Sequence, residues 1–336
     1  MTHQFKSIKW FIVSITVVLF TVFSPSAFSQ GEYEKSGFKT LNTQADLNKK
    51  GAIRVTDDLN NTVKISSKPQ RIVSVTLMTD EILLSLVDKS RLIAVTTLSA
   101  DPEISNVAAE VIDIPNKLTL NVETIISLNP DLVFLANWSD AGKVKQLKEA
   151  GLKVLQFKSH TNVSEIEAMI LTIARAVGET KKGENIVDWM NGKLDVIEEK
   201  LSSEPQKEKL TVMDYGTWGS SFGKGSSWDE IIKLAGLKNA VADFKSDQWG
   251  NVPISKEKLV ELNPDILILP GWVWGDPTGA DKFYKNIVSD PALKNLKAVK
   301  NNRVFRIPEA HKSSTSQYIV YAVQDLAKLA YPDIFK

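Results

Sequence analysis

Hydrophobic positions along the chain follow two spacings in turn, a period of two in short apolar runs and a helical period between them. From Ile53 to Ile65 the pattern IRVTDDLNNTVKI sets two alternating segments around Asp58 to Asn61, which predicts a β-hairpin with turn-forming residues at its tip. Buried strands are then predicted at Arg71 to Val75, LIAVT (Leu92 to Thr96), Leu132 to Ala136 and Lys153 to Phe157, with helices at Asp80 to Val87, Val122 to Leu128 and Lys143 to Ala150. Between Ser164 and Leu201 the signal is helical with a break near Gly178, and Ile186, Trp189, Met190, Leu194, Ile197 and Leu201 mark one face of a long connecting helix. The alternation then restarts: strands Leu210 to Tyr215, Ile266 to Pro270 and Arg303 to Ile307, helices Trp228 to Ala235, Lys256 to Leu262 and Gln317 to Leu329. Strands alternating with helices predict an α/β fold of two Rossmann-like lobes with parallel sheets, bridged by a long α-helix. The expected boundaries are residues 53–160 for the first lobe with its leading hairpin, 161–208 for the helical segment and 209–336 for the second lobe. A helical joint is stiff, so a wide flytrap closure is not expected.

The first residues change the picture of compartment. Lys6 and Lys9 precede an apolar run from Trp10 to Phe23, followed by Pro25 and the small-residue pattern Ala27-Phe28-Ser29. This predicts a secretory signal peptide over residues 1–29 and export to the periplasm, the run of about 14 apolar residues being short for a spanning helix. Residues 30–52 are polar and aperiodic and read as a loose tether. Cysteine is absent, which excludes disulfides, thiolate metal sites, a thiol nucleophile and a lipid-attachment cysteine in this sequence. Removal of Lys6 and Lys9 takes the formal charge from +1 to −1, with both signs interspersed, so no basic field for nucleic acid is present. A monomer is expected.

A gapless internal repeat carries the functional reading. NVETIISLNPDLVFLANW (Asn121 to Trp138) matches SKEKLVELNPDILILPGW (Ser255 to Trp272). In each copy a polar cap opens a helix, a glutamate (Glu123, Glu257) sits in its first turn, Asn-Pro-Asp closes it, and an apolar strand runs to a tryptophan (Trp138, Trp272). A helix antiparallel to the following strand puts its N-terminus level with that strand's C-terminal end, so glutamate and tryptophan share one rim of each lobe. Ligands of open α/β sheets gather at that rim, and pockets favour domain interfaces.

The chain from about Ile53 to its end resembles the periplasmic binding proteins that deliver ferric siderophores, haem and cobalamin to ABC importers. The carriers are VTDDLNNTVKISSKPQRIVSV (Val55 to Val75), both repeats, GSSFGKGSSWDEIIKLAGLKNAVAD (Gly219 to Asp243) and the closing YPDIF (Tyr331 to Phe335). The resemblance implies the class III fold of that family, small closure, and one glutamate per lobe meeting arginines of the importer's membrane subunits. Those docking roles fall on Glu123 and Glu257; the plainer reading is of helix-start carboxylates favoured by the dipole at ~0.3–1 kcal/mol each. The resemblance further implies a permease with its ATPase as partner, no enzymatic activity and no cofactor beyond the iron or cobalt of the ligand. Where some cobalamin-binding members carry an aromatic, this chain has Leu98 and Lys117.

Ligand candidates gather after strands: Trp138, Tyr215, Trp218, Phe222, Trp249, Trp272 and Trp274, whose faces suit a wide, flat or greasy ligand. Thr79, Thr97, Leu98, His160, Ser220, Ser221 and His311 are the further candidates at strand ends, the histidines doubling as metal-ligand candidates. Three other chemistries are weaker. Gly219-Ser220-Ser221-Phe222-Gly223 fits the hydrolase pattern G-x-S-x-G, with Asp265 and His311 following in triad order, but the strand and helix are too far apart for a nucleophile elbow. Gly223-Lys224-Gly225 lacks the spacing of a phosphate loop. Two histidines beyond the leader are too few for direct capture of bare zinc or manganese.

Overall fold

The computed structural model describes residues 52–203 and 208–336. The expected leader and all but the last residue of the expected tether lie outside them. The hairpin is β1 (Ile53–Thr56) and β2 (Thr62–Ile65), antiparallel, with Asn60 in the left-handed region at its tip. Asp57 fixes that tip by accepting the Leu59 and Asn61 backbone N–H groups. The first lobe continues with β3 (Ile72–Ser74), α1 (Leu77–Leu86), β4 (Leu92–Thr96), β5 (Asn116–Leu118), α2 (Val122–Ser127), β6 (Leu132–Ala136), α3 (Ala141–Glu149) and β7 (Val154–Phe157). Its five strands are parallel in the order β5-β4-β3-β6-β7. Helix α1 starts three residues before the predicted Asp80, because the Thr76 hydroxyl accepts the Thr79 N–H and caps it there.

Helices α4 (Val163–Ala176) and α5 (Thr180–Ser203) meet at Gly178, which adopts positive φ. The 24 residues of α5 span about 36 Å at 1.5 Å per residue, enough to bridge two lobes. The second lobe comprises β8 (Thr211–Asp214), β9 (Ser220–Phe222), α6 (Ser227–Leu234), β10 (Lys238–Asn239), β11 (Asn251–Pro253), α7 (Lys256–Leu262), β12 (Ile266–Leu269), α8 (Gly279–Ser289), α9 (Lys297–Lys300), β13 (Val304–Arg306), α10 (Glu309–Lys312) and α11 (Ile319–Ala330). Four strands form a parallel sheet, β10-β8-β12-β13, while β9 and β11 form a separate antiparallel ribbon.

Both main sheets are covered on two faces, as their near-continuous apolar strands require. Alternate residues take alternate sides: Val73, Val133 and Leu135 face one first-lobe cluster with Val122, Ile125 and Leu147. Met213, Leu267 and Leu269 face the corresponding second-lobe cluster with Leu259 and Leu293. The opposite positions, Ile72, Leu132 and Phe134 in one sheet and Val212, Ile266 and Ile268 in the other, belong to a single continuous core that also holds Met190 and Ile197 of α5. A continuous apolar core shared by both lobes and the bridging helix resists hinge motion.

Candidate functional site

The repeated segment builds the same device in each lobe. The Asn121 side chain accepts the Thr124 N–H at 2.8 Å and the Ser255 hydroxyl accepts the Lys258 N–H at 3.2 Å, which caps α2 and α7. Asn129 and Asn263 both sit at φ 47°, the left-handed stop that frees the chain to reverse into a strand. The repeat's aspartates then fasten the neighbouring strand. Asp131 accepts the Gln70 and Arg71 N–H groups at 2.7 and 3.1 Å, and Asp265 accepts the Thr211 N–H and hydroxyl at 2.9 and 2.8 Å. Glu123 and Glu257 are exposed in the first turns of their helices. The Ser255 hydroxyl holds the Glu257 carboxyl below its usual range.

The carboxyl ends of the two sheets meet at one seam. Glu81, buried in α1 just after β3, accepts hydrogen bonds from the Asn106 N–H (3.1 Å) and side-chain amide (2.8 Å) and from the hydroxyls of Ser314 and Ser316, which follow β13. Asn106 also donates to the Ala310 carbonyl at 2.7 Å, and the Gln317 amide donates to the Glu81 carbonyl at 2.9 Å. Burial pushes the Glu81 carboxyl up, against the opposing pull of Ser316 and Asn106. Trp138 leaves β6, the neighbour of β3, and Trp272 leaves β12, the neighbour of β13. The twin tryptophans thus end strands adjacent to the seam.

Aromatic exposure is the most distinctive property of these strand ends. Relative exposures are 94% for Trp218, 74% for Trp274, 67% for Trp249 and 57% for Trp138. Indoles this bare are unusual on a surface with no partner to cover them. Trp272 meets Trp274 edge to face at 5.5 Å between centroids. Gly271 before them could not carry a side chain, since a Cβ would lie 2.8 Å from the Ile307 carbonyl oxygen. Trp218 and Trp249 precede β9 and β11, so they mark opposite ends of the antiparallel ribbon. Thr97 and Leu98 after β4 are also exposed.

Other predicted ligand residues are placed differently. Thr79 is fully buried and bonded to Ser74 and Thr76, both at 2.6 Å, so it closes the helix start instead of reaching solvent. Ser221 is buried in β9, Phe222 packs on the shared core, and Tyr215 is buried with its ring on Phe283. Ser220 is bridged to Pro253 in the ribbon. Both ring nitrogens of His160 are engaged, Nε2 with Asp58 at 2.8 Å and Nδ1 with Glu165 at 3.4 Å, leaving none for a metal. Burial pulls the imidazole pKa down, but Asp58 and then Glu165 outweigh it and raise it. His311 turns its Nδ1 to Asp325 at 2.6 Å, not to Asp265, and packs its ring at a tilt against Tyr321. Lys117 is spent on the Ile112 and Ile114 carbonyls of its own loop.

The hydrolase alternative fails on this geometry, because its acid is a strand fastener paired with Lys297, its base faces another carboxylate and its serine is inside. Among the described residues no group of three or more His, Cys, Asp or Glu could hold a metal, and no helix is long and apolar enough to cross a membrane. A groove of about 420 Å³ opens between α1, α5 and α11 against Trp189, Tyr318 and Tyr321; none of the predicted ligand residues lines it.

Sequence reasoning missed the support beneath the indoles. Lys312 of α10 forms a buried ion pair with Asp214 at 2.7 Å, directly before Tyr215. Burial opposes the Lys312 ammonium, yet Asp214 and Glu309 raise its pKa. Glu309 accepts the Gly271 N–H at 3.3 Å, directly before Trp272. The only sequence signal for these residues was charge beside a strand end, which surface residues share.

A family model described as periplasmic binding protein matches residues 72–311 of this chain. The uncharacterized ABC transporter substrate-binding lipoprotein YvrC of Bacillus subtilis is 29% identical over 290 residues, covering 84% of this chain and 87% of that protein. The molybdate-binding protein MolA of Haemophilus influenzae is 24% identical over 70% of this chain and 69% of its own. The fold is similar to that of Helicobacter pylori CeuE, with a TM-score of 0.67 at 20% identity over 84% of this chain and 90% of that one.

Proposed function

The chain belongs to the periplasmic binding protein family, and on that footing we propose that it is the solute-binding component of an ABC importer. It works outside the cytoplasmic membrane, in the periplasm, capturing an iron(III) chelate (siderophore or haem) or a cobalamin-type corrinoid and delivering it to the permease. The observation that supports this ligand class is the exposure of Trp138, Trp218, Trp249 and Trp274 at the carboxyl ends of strands and the ends of the ribbon. Indole faces supply large contact area at low rotamer cost and match a broad conjugated or greasy shell better than a small oxyanion. A compact oxyanion would instead call for convergent cations or backbone donors. Near the seam Lys312 is already paired with Asp214, and Arg306 with Asp281.

Capture needs no bond chemistry. The ligand settles between lobes whose shared core admits little closure, and the exposed Glu123 and Glu257 present one carboxylate per lobe to basic residues of the permease. Metal held within the chelate is cargo, so His160 and His311 remain structural.

Tryptophan fluorescence of the purified protein, titrated with a ferric trihydroxamate, haemin, cobalamin and cobinamide, tests the proposal. One of these quenches emission saturably at micromolar concentration or below, and Trp138→Ala and Trp274→Ala each weaken that binding by about tenfold, roughly 1.4 kcal/mol. If none of the four probes binds, the ligand assignment is wrong.

A further inference from the structure

Residues 309–316 belong to the second lobe and touch both halves of the proposed binding site. On one side, Glu309 holds the Gly271 N–H ahead of Trp272 and Trp274, and Lys312 pairs with Asp214 ahead of Tyr215. On the other side, the Ala310 carbonyl accepts from Asn106, while Ser314 and Ser316 donate to Glu81 of the first lobe. Glu81 is the node. Its one carboxylate oxygen takes both Asn106 donors and its other takes both serine hydroxyls, so four donors converge on a single buried group.

We propose that Glu81 is a positioning residue that acts across the lobe junction, fixing the Trp272–Trp274 loop of the second lobe through the segment 309–316. The physical ground is acceptor capacity. A buried carboxylate offers about four lone-pair sites and can satisfy two donors from each lobe at once. No neutral side chain of the same length can, because a glutamine would turn its own NH2 toward one pair of donors. Loss of either pair leaves buried polar groups unpaired, and the serine-bearing segment shifts to recover partners. That shift passes to Gly271 because α10, only Glu309–Lys312, carries the Gly271 contact on Glu309 and the Asn106 contact on the adjacent Ala310.

This inference rests on the reading of Trp272 and Trp274 as ligand contacts, but its test does not need a ligand. The full chain is labelled with 5-fluorotryptophan, and the fluorine resonances of Trp272, Trp274 and Trp249 are assigned by single replacement with phenylalanine. Spectra of the ligand-free wild type are compared with Glu81→Gln and with the double variant Ser314→Ala/Ser316→Ala, each checked for a cooperative thermal transition. The expected result is that the Trp272 and Trp274 resonances shift or broaden in both variants while Trp249, at the far end of the ribbon, stays in place. Unmoved Trp272 and Trp274 signals in a folded variant overturn the proposal. Equal disturbance of all three resonances also overturns it, since that marks general loosening. If Glu81→Gln fails to fold, the serine variant decides alone. A negative spectrum leaves the transport reading standing, and failure of every chelate to bind leaves the spectral result intact.

Discussion

At the scale of single residues, His160 shows how a ligand candidate becomes structural once its partners are known. His160 lies between Asp58 of the hairpin tip and Glu165 of α4, so it ties the first strand pair to the first lobe. Asp58 also accepts the Lys158 N–H at 2.8 Å. Burial would raise the Asp58 carboxyl, but the His160 ring and the Lys158 N–H hold it below the usual range. The raised pKa of His160 means that its stabilisation is complete below about pH 6.5, the unfolded value, and is lost as pH rises through the folded one. The prediction is that His160→Gln destabilises more at pH 6 than at pH 8.5, by less than about 1 kcal/mol because the pair is partly solvated. Chemical denaturation of both proteins at the two pH values measures it. An equal or reversed difference would remove the protonated bridge from the account.

Elements are held in place by backbone accounting more than by exposed pairs. Arg91, buried between β4 and the α4–α5 junction, spends its planar fork on the Pro69 carbonyl (2.7 Å), the Val177 carbonyl (2.6 Å) and Glu179 (2.7 Å). Those contacts satisfy the Val177 carbonyl at the end of α4, tie it to the Pro69 carbonyl ahead of β3 and set the angle at which α5 leaves the first lobe. Arg91→Ala leaves Glu179 and two carbonyls without this partner, and the expected loss is about 3 kcal/mol or more. Lysine cannot reproduce a three-way fork, so Arg91→Lys recovers less than half of it. Thermal and urea unfolding of the two variants checks both statements, and a loss below about 1 kcal/mol for alanine would show that α5 is set by its apolar face alone. Exposed pairs such as Lys145 with Glu149 at 3.6 Å contribute little by comparison.

Over the whole molecule, the shared core and the Glu81 seam make the two lobes a firm frame, with one exposed helix-start carboxylate, Glu123 or Glu257, on each lobe. Arginine at both Glu123 and Glu257 reverses charge at two exposed helix starts without touching the core. Ligand affinity is expected to stay within about twofold while importer-dependent uptake falls by tenfold or more, measured by fluorescence titration and radiolabelled transport. Unchanged uptake would return both residues to the role of helix-start carboxylates. The sequence alone determined the main alternation of strands and helices, the bridging helix and the matching helix starts and strand ends of the repeat, but not β5, β10 or α8 to α10. Those features rest on local periodicity, capping and the direction of a strand after its helix, which neighbouring residues settle among themselves. It also pointed to the exposed Trp138 and Trp274, which follow predicted strands, whereas Trp218 and Trp249 precede ribbon strands that periodicity did not mark. Only the tertiary structure decided which polar strand-end residues stay buried. Thr79, Ser221 and Glu81 share a residue class with surface groups, and their burial depends on chain segments as much as 235 residues away. The β9–β11 ribbon was likewise illegible, because strands of three residues acquire their identity from a partner and carry no period of their own.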